Sequence, residues 1–259
     1  MTEDVRVELR DEGALWLTFD RAKARNAMTY AMYEAIEAAA RRANEDPAVR
    51  ALVLTGAGAS FVAGTDISQF SDFRTAEQAY GYEDFMERIL GALEAVRKPT
   101  IAAIGGATTG GGLAIAASCD LRVATASATF GMPIARTLGN CLSLANLVRV
   151  ASLVGIARTK ELIFTARIIA AEEALRAGLV HEVVSDDVAL HGRVSELVRT
   201  MSAFAPLTLW ATKEGLRRIR DRMMADEARD LVALCYTSED FREGVRAFLE
   251  KRRPQWSGR

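Results

Sequence analysis

Two short apolar runs in this chain lead into loops that carry glycine. Arg50-Ala-Leu-Val-Leu-Thr55 precedes Ser60-Phe-Val-Ala-Gly-Thr-Asp-Ile67, and Thr100-Ile-Ala-Ala-Ile104 runs straight into Gly105-Gly-Ala-Thr-Thr-Gly-Gly-Gly112. Apolar runs of this length, bounded by turn residues, read as buried strands. Glycine is costly in an ordered segment unless a bare backbone is wanted there. A glycine turn that opens a helix points N–H groups outward, as an oxyanion or a phosphate needs. The helix after Gly110-Gly-Gly112 begins Leu113-Ala-Ile115, with no acid, base or nucleophile. A glycine loop after a strand also serves simply as a tight turn, so these residues alone leave open what the backbone is prepared for and where the chemistry lies.

The rest of the chain alternates in the same way. Val5–Leu9 and Leu15–Phe19 alternate around Asp11-Glu-Gly13 and read as a hairpin. Met32, Ile36, Ala39, Ala40 and Ala43 predict an amphipathic helix over 28–44, and Phe85, Ile89, Leu93 and Val96 one over 75–97. Strands are expected at Cys119–Ala124 and Ala128–Phe130. From about 187 onward the pattern is helical, with Thr237 or Ser238 as cap of the last helix. Strands alternating with helices give an α/β chain built on parallel β units. No linker separates the helical tail, which reads as an extension that docks.

Composition narrows the function. The 33 basic and 34 acidic residues leave a net charge of −1, which gives no electrostatic case for nucleic acid or an anionic membrane. Cys119, Cys141 and Cys235 have no metal-ligand spacing and read as reduced thiols. With a polar, acidic start and no apolar run of membrane-spanning length, the expectation is a cytoplasmic protein. No metal and no tightly bound cofactor is expected. His181 lies in a strand-like run and His191 in a polar helix, so both read as structural.

In order along nearly the whole chain, Lys23-Ala-Arg-Asn-Ala-Met28, Leu52-Val-Leu-Thr-Gly56, Phe61-Val-Ala-Gly-Thr-Asp-Ile67, Lys98-Pro-Thr-Ile-Ala-Ala103, Gly110-Gly-Gly112, Cys119-Asp120, Phe130-Gly-Met-Pro133, Glu172–Val180 and Ala247–Arg252 resemble the crotonase superfamily, the enoyl-CoA hydratase/isomerase family. The resemblance implies a crotonase-like spiral of ββα units over 1–195 and a C-terminal α-helical oligomerisation region over 196–259. It implies homotrimers or dimers of trimers, with coenzyme A entering as part of an acyl-CoA thioester substrate. It also implies an oxyanion hole made of the Thr65 and Gly111 amides. Lys23, Arg25, Ala63, Asp66, Ile67 and Lys251 fall where the family faces CoA. Asp66 also suits a role in holding its own loop.

Ala114 and Ile134 stand where the family's hydratases carry their two glutamates. Neither side chain accepts a proton or orients water. Other acid–base groups are therefore sought in two places. One is the wall formed by Arg136, Thr137, Asn140, Cys141 and Ser143, where Asn140 positions water or substrate and Cys141 acts only if its pKa is lowered. The other is the helix over 75–97, where Glu83, Glu87 and Glu94 share one face. Glu87 or Glu83 is the candidate there, against the plainer expectation of a solvated stripe. The function expected is an acyl-CoA enzyme working through an enolate, nominally a hydratase. The alternatives are an isomerase or hydrolase with a relocated acid–base residue, or a non-catalytic acyl-CoA-binding member.

Overall fold

The computed structural model describes residues 3–222 and 228–259. Its strands fall into two sheets. The first contains β1 (Val5–Leu9), β2 (Ala14–Phe19), β3 (Ala51–Gly56), β5 (Thr100–Ile104), β7 (Leu121–Thr125) and β10 (Glu182–Val184), side by side in that order. The second holds β4 (Ser60–Val62), β6 (Ala107–Thr109), β8 (Thr129–Gly131) and β9 (Ile168–Ala170). Among the described residues only the β1–β2 and β8–β9 pairings are antiparallel. Consecutive strands therefore step between sheets: β3 to β4, β5 to β6, β7 to β8. Each step is one turn of a spiral.

The helices are α1 (Tyr30–Glu45), α2 (Ala76–Glu94), α3 (Gly111–Ala117), α4 (Ile134–Thr137), α5 (Leu144–Phe164), α6 (Ala171–Arg176), α7 (Asp187–Ser202), α8 (Pro206–Asp221), α9 (Arg229–Tyr236) and α10 (Glu239–Leu249). Side chains in the first sheet alternate between two cores, as the period of a strand requires. Leu15, Leu17, Leu52, Leu54, Ala102 and Ile104 join the large core with α1 and α2. Trp16, Val53, Ile101 and Val123 face the other way, against Leu190, Val194 and Val198 of α7. Burying each large side chain contributes about 1.5–3 kcal/mol.

The helix ends follow the side chains that cap them. Thr29 accepts from the Met32 N–H, and Thr75 forms a reciprocal capping box with Gln78, so α1 and α2 start just inside the expected spans. Ser238 caps α10. The strand expected from Cys119 begins instead at Leu121. Asp120 is held in the preceding turn, where its carboxylate accepts from the Thr100 N–H at 2.7 Å and pairs with Lys213 at 2.7 Å. The expected division at 195/196 falls inside α7, whose apolar face covers the sheet on both sides of that point. The tail docks on its own chain: Tyr236 and Phe241 pack with Phe70, Phe73 and Tyr82 in an aromatic cluster.

Candidate active site

A cleft of about 490 Å³ opens between the loops that follow β4 and β6. One wall is backbone. Thr65 and Gly111 both line the cleft. Gly111 is the first residue of α3, where an N–H has no partner within the helix. Neither its amide nor that of Thr65 donates to an acceptor among the described residues. Two glycines make this possible. Gly110 turns the chain at φ 54° and ψ −121°, a conformation that side chains resist. A Cβ on Gly111 would lie 2.4 Å from the Tyr33 hydroxyl and 3.0 Å from Thr65 Oγ1. Thr65 is braced by α1 and α2, because its Oγ1 hydrogen-bonds the hydroxyls of Tyr33 (2.8 Å) and Tyr82 (3.2 Å), and Thr109 Oγ1 donates to the Ala63 carbonyl at 2.9 Å to tie the two loops together.

Another part of the lining is built of side chains from α2, the 134–143 segment and α9. Glu83 lines the cleft, and its carboxylate accepts from the Tyr236 hydroxyl at 2.8 Å. Burial pushes its carboxyl up to about 7, assisted by the charges of Glu87 and Asp84 and opposed by hydrogen bonds from Tyr236 and Ser143. Its charge is felt at the buried Tyr33 and Tyr82 hydroxyls, the same groups that brace Thr65. Asn140 Nδ2 donates to the Tyr236 hydroxyl at 3.2 Å. Asn140, Tyr236 and Glu83 thus form a chain along this wall. Ala114 and Ile134 also line the cleft and are buried.

The expected solvated stripe divides into three environments. Glu83 faces the cleft. Glu87, one turn on, does not line it, and is instead paired in bidentate fashion with the buried Arg149 (2.7 and 2.7 Å). Glu94 is buried between Arg149 (2.9 Å) and Arg220. Burial alone would raise its carboxyl, but these two guanidinium groups hold it below the ordinary value. Surface pattern alone could not separate the three, because Tyr236 of α9 meets Glu83, Arg149 of α5 meets Glu87 and Glu94, and Arg220 of α8 meets Glu94.

Thr137 and Cys141 line the cleft, whereas exposed Arg136 does not, and Ser143 serves as N-cap of α5. The Cys141 thiol is pushed up by its hydrogen bond with Cys235 and by burial, the opposite of an activated nucleophile. Of the CoA-facing candidates, Arg25, Ala63, Asp66 and Ile67 line the cleft mouth, while Lys23 and Lys251 are exposed outside it. Asp66 holds its loop, accepting from Ser68 N (3.1 Å) and Oγ (2.7 Å) and from Arg21 (2.7 Å). His181 accepts from the Arg122 N–H and His191 stacks edge-on against Trp16, both away from the cleft. Sequence reasoning missed Tyr236, Tyr33 and Tyr82. Nothing in a lone tyrosine separates a braced hydroxyl from a core ring.

A ββα spiral with an amide-walled cleft defines the crotonase fold. Methylmalonyl-CoA decarboxylase in complex with 2-nitronate-propionyl-CoA has this fold at a TM-score of 0.90, 28% identical and covering 100% of both chains. Residues 10–259 match the family described as enoyl-CoA hydratase/isomerase, and the chain belongs to that family. Crotonyl-CoA hydratase of Syntrophomonas wolfei is 36% identical over 97% of this chain and 96% of its own. Short-chain-enoyl-CoA hydratase of Clostridium acetobutylicum is 36% identical over 95% of each. Among the described residues no group of side chains is arranged to hold a metal, and no helix is long and apolar enough to cross a membrane.

Proposed function

We propose that this chain acts on an acyl-CoA thioester through an enolate, with the Thr65 and Gly111 amides as oxyanion hole and Glu83 as the acid–base group. The observation that carries the reading is Glu83: a carboxylate facing the same cleft as two unpartnered amides, with its pKa raised to about 7. Removing a proton α to a thioester, or adding to its β-carbon, drives charge onto the thioester oxygen. One fixed donor at such an oxygen is worth about 2.7–4 kcal/mol in the transition state. A carboxylate near neutrality is suited to take a proton and return it. The names of the hydratase relatives support hydration as the nominal reaction.

Arg25, Ala63, Asp66 and Ile67 would flank the CoA moiety at the cleft mouth, with Lys23 and Lys251 reaching it from outside. Exposed Leu207, Leu216, Ile219, Leu231 and Leu234 support the C-terminal helices as the oligomerisation region of a homotrimer or a dimer of trimers. The test is incubation with butyryl-CoA in deuterated water, following α-proton exchange by mass. Exchange that is lost in Glu83→Gln is the expected result. The apolar Ala114 and Ile134 support a second reading, a non-catalytic acyl-CoA binder. Tight thioester binding with neither exchange nor hydration would establish that one instead.

A further inference from the structure

Arg149 spends every proton of its guanidinium, and the last one orients a side chain of the cleft. The residue is 2% exposed. Its Nε and Nη2 donate to Glu94 at 2.9 and 2.9 Å, and its Nη1 and Nη2 to Glu87 at 2.7 and 2.7 Å. The remaining Nη1 proton meets Asn146 Oδ1 at 3.1 Å. A guanidinium only donates, so the atom facing it is the amide oxygen, and Nδ2 is the end turned away. That Nδ2 has no hydrogen-bond partner among the described residues, yet it is not one of the unpartnered side-chain atoms closed to solvent. It therefore keeps open surface, and Asn146, only 6% exposed, lines the cleft. Neighbouring donors are spent inside the protein: Thr109 on the Ala63 carbonyl, Thr137 on the Pro133 carbonyl and Tyr236 on Glu83.

Asn146 is tied to the neighbourhood of Glu83. Its N–H donates to Ser143 Oγ at 3.4 Å, and the Ser143 hydroxyl is itself hydrogen-bonded to Glu83. Arg149 joins Asn146 to Glu87, one turn beyond Glu83 on α2. Resting on the acyl-CoA reading with Glu83 as the acid–base group, we propose that Asn146 selects the acyl group, its Nδ2 donating to a neutral oxygen that the chain carries near the reacting carbons. The preferred substrates are thioesters whose acyl chain bears a hydroxyl or a carbonyl, and not a bare alkyl chain. A carboxylate is disfavoured. The charges of Arg149 and Arg220 are matched by Glu87 and Glu94, and Glu83 lines the same cleft. Arg21 and Arg25, the basic side chains of the lining, lie at the mouth, with Arg21 bound to Asp66. The Arg149 bond also fixes the amide before a substrate arrives, so little freedom is lost on binding. It polarises the Nδ2 protons as well.

The test measures α-proton exchange in deuterated water for hexanoyl-CoA beside the 3-hydroxyhexanoyl, 4-oxohexanoyl, 5-oxohexanoyl and glutaryl thioesters. Each is run with the wild type, Asn146→Leu and Asn146→Ala, and dissociation constants are taken for the same thioesters. What is compared is the ratio of kcat/KM, or of affinity, for each oxygenated thioester to that for hexanoyl-CoA within one protein, so a smaller folded fraction cancels. In the wild type at least one neutral oxygenated thioester is expected to exceed hexanoyl-CoA about tenfold to a hundredfold, the size of one hydrogen bond to a waiting donor. That ratio should collapse toward one in both variants. Wild-type ratios at or below one, or a preference that survives in both variants, overturn the role of Asn146 and leave Glu83 standing. Glutaryl-CoA ranking first overturns the neutral class. Binding without exchange removes Glu83 as base, and the affinity ratios then decide for or against Asn146. A chain that binds none of the thioesters removes the acyl-CoA reading and this inference with it.

Discussion

The two walls of the cleft are made of different material. On one side, Thr65 and Gly111 present main-chain N–H groups whose positions depend on glycine geometry and on tyrosine hydroxyls behind them. On the other, Glu83, Tyr236 and Asn140 form a side-chain relay drawn from three separate elements. A backbone donor survives almost any side-chain change, and Thr65 illustrates this freedom. A carboxylate gains its chemistry only from what surrounds it: Glu83 and Glu87 are one turn apart on the same helix and live in opposite conditions. In the function proposed above, one wall holds charge at the thioester and the other decides what is done with it.

The sharpest test of that contrast compares the two glutamates. Glu83→Gln is expected to slow α-proton exchange by about a hundredfold to ten-thousandfold. Glu87→Gln should leave exchange near the wild-type rate, because Arg149 keeps Glu94. On the amide wall, Gly111→Ala forces a methyl into the Tyr33 hydroxyl, and kcat should fall about a hundredfold to a thousandfold, the loss of one oxyanion donor. Thr65→Val keeps the amide, so it should lower thermal stability more than activity. If the two substitutions reduce kcat equally, the Thr65 side chain and not only its amide acts at this wall.

Glu94→Gln probes what holds α2 in register. Removing one partner from this buried charge group should cost about 3–5 kcal/mol in denaturant unfolding. The sign with pH follows from its depressed carboxyl. The wild-type contribution is complete above the ordinary carboxylate range and is lost as pH falls through the lowered value. The smallest effect is a shift of profile. Glu83 as base must be ionised, so exchange should rise with pH through about 7. Tyr236→Phe deletes a hydrogen bond that favours the ionised form, and its inflection should move to higher pH. Ser143, Glu87 and Asp84 remain to act on the carboxyl as before.

The amide wall was named from sequence only through the family resemblance, because a glycine loop after a strand serves equally as a plain tight turn. Thr65, Gly111, Ala114 and Ile134 line one cleft. The side-chain wall was legible only as a set of candidates. Spacing puts Glu83, Glu87 and Glu94 on one face, yet α5, α8 and α9, distant in sequence, decide which turn of that face is cleft, surface or interior. Tyr236 lies 153 residues from its partner Glu83, and no local pattern links them. Asn140 was read as a group that positions water or substrate; in the fold its Nδ2 is bonded to the Tyr236 hydroxyl and its Oδ1 is closed to solvent.

Where Tyr236 sits along the chain also sets an order of assembly at the ribosome. Tyr33, Thr65, Tyr82 and Gly111 have all been made once the chain reaches Gly131, whose carbonyl receives the Gly110 N–H. Tyr236 arrives about a hundred residues later, during N-to-C synthesis. The growing polypeptide contains every residue of the amide wall well before the tyrosine that pairs with Glu83. In the function proposed above, translation supplies the residues that hold a thioester before the last of those that surround the acid–base group.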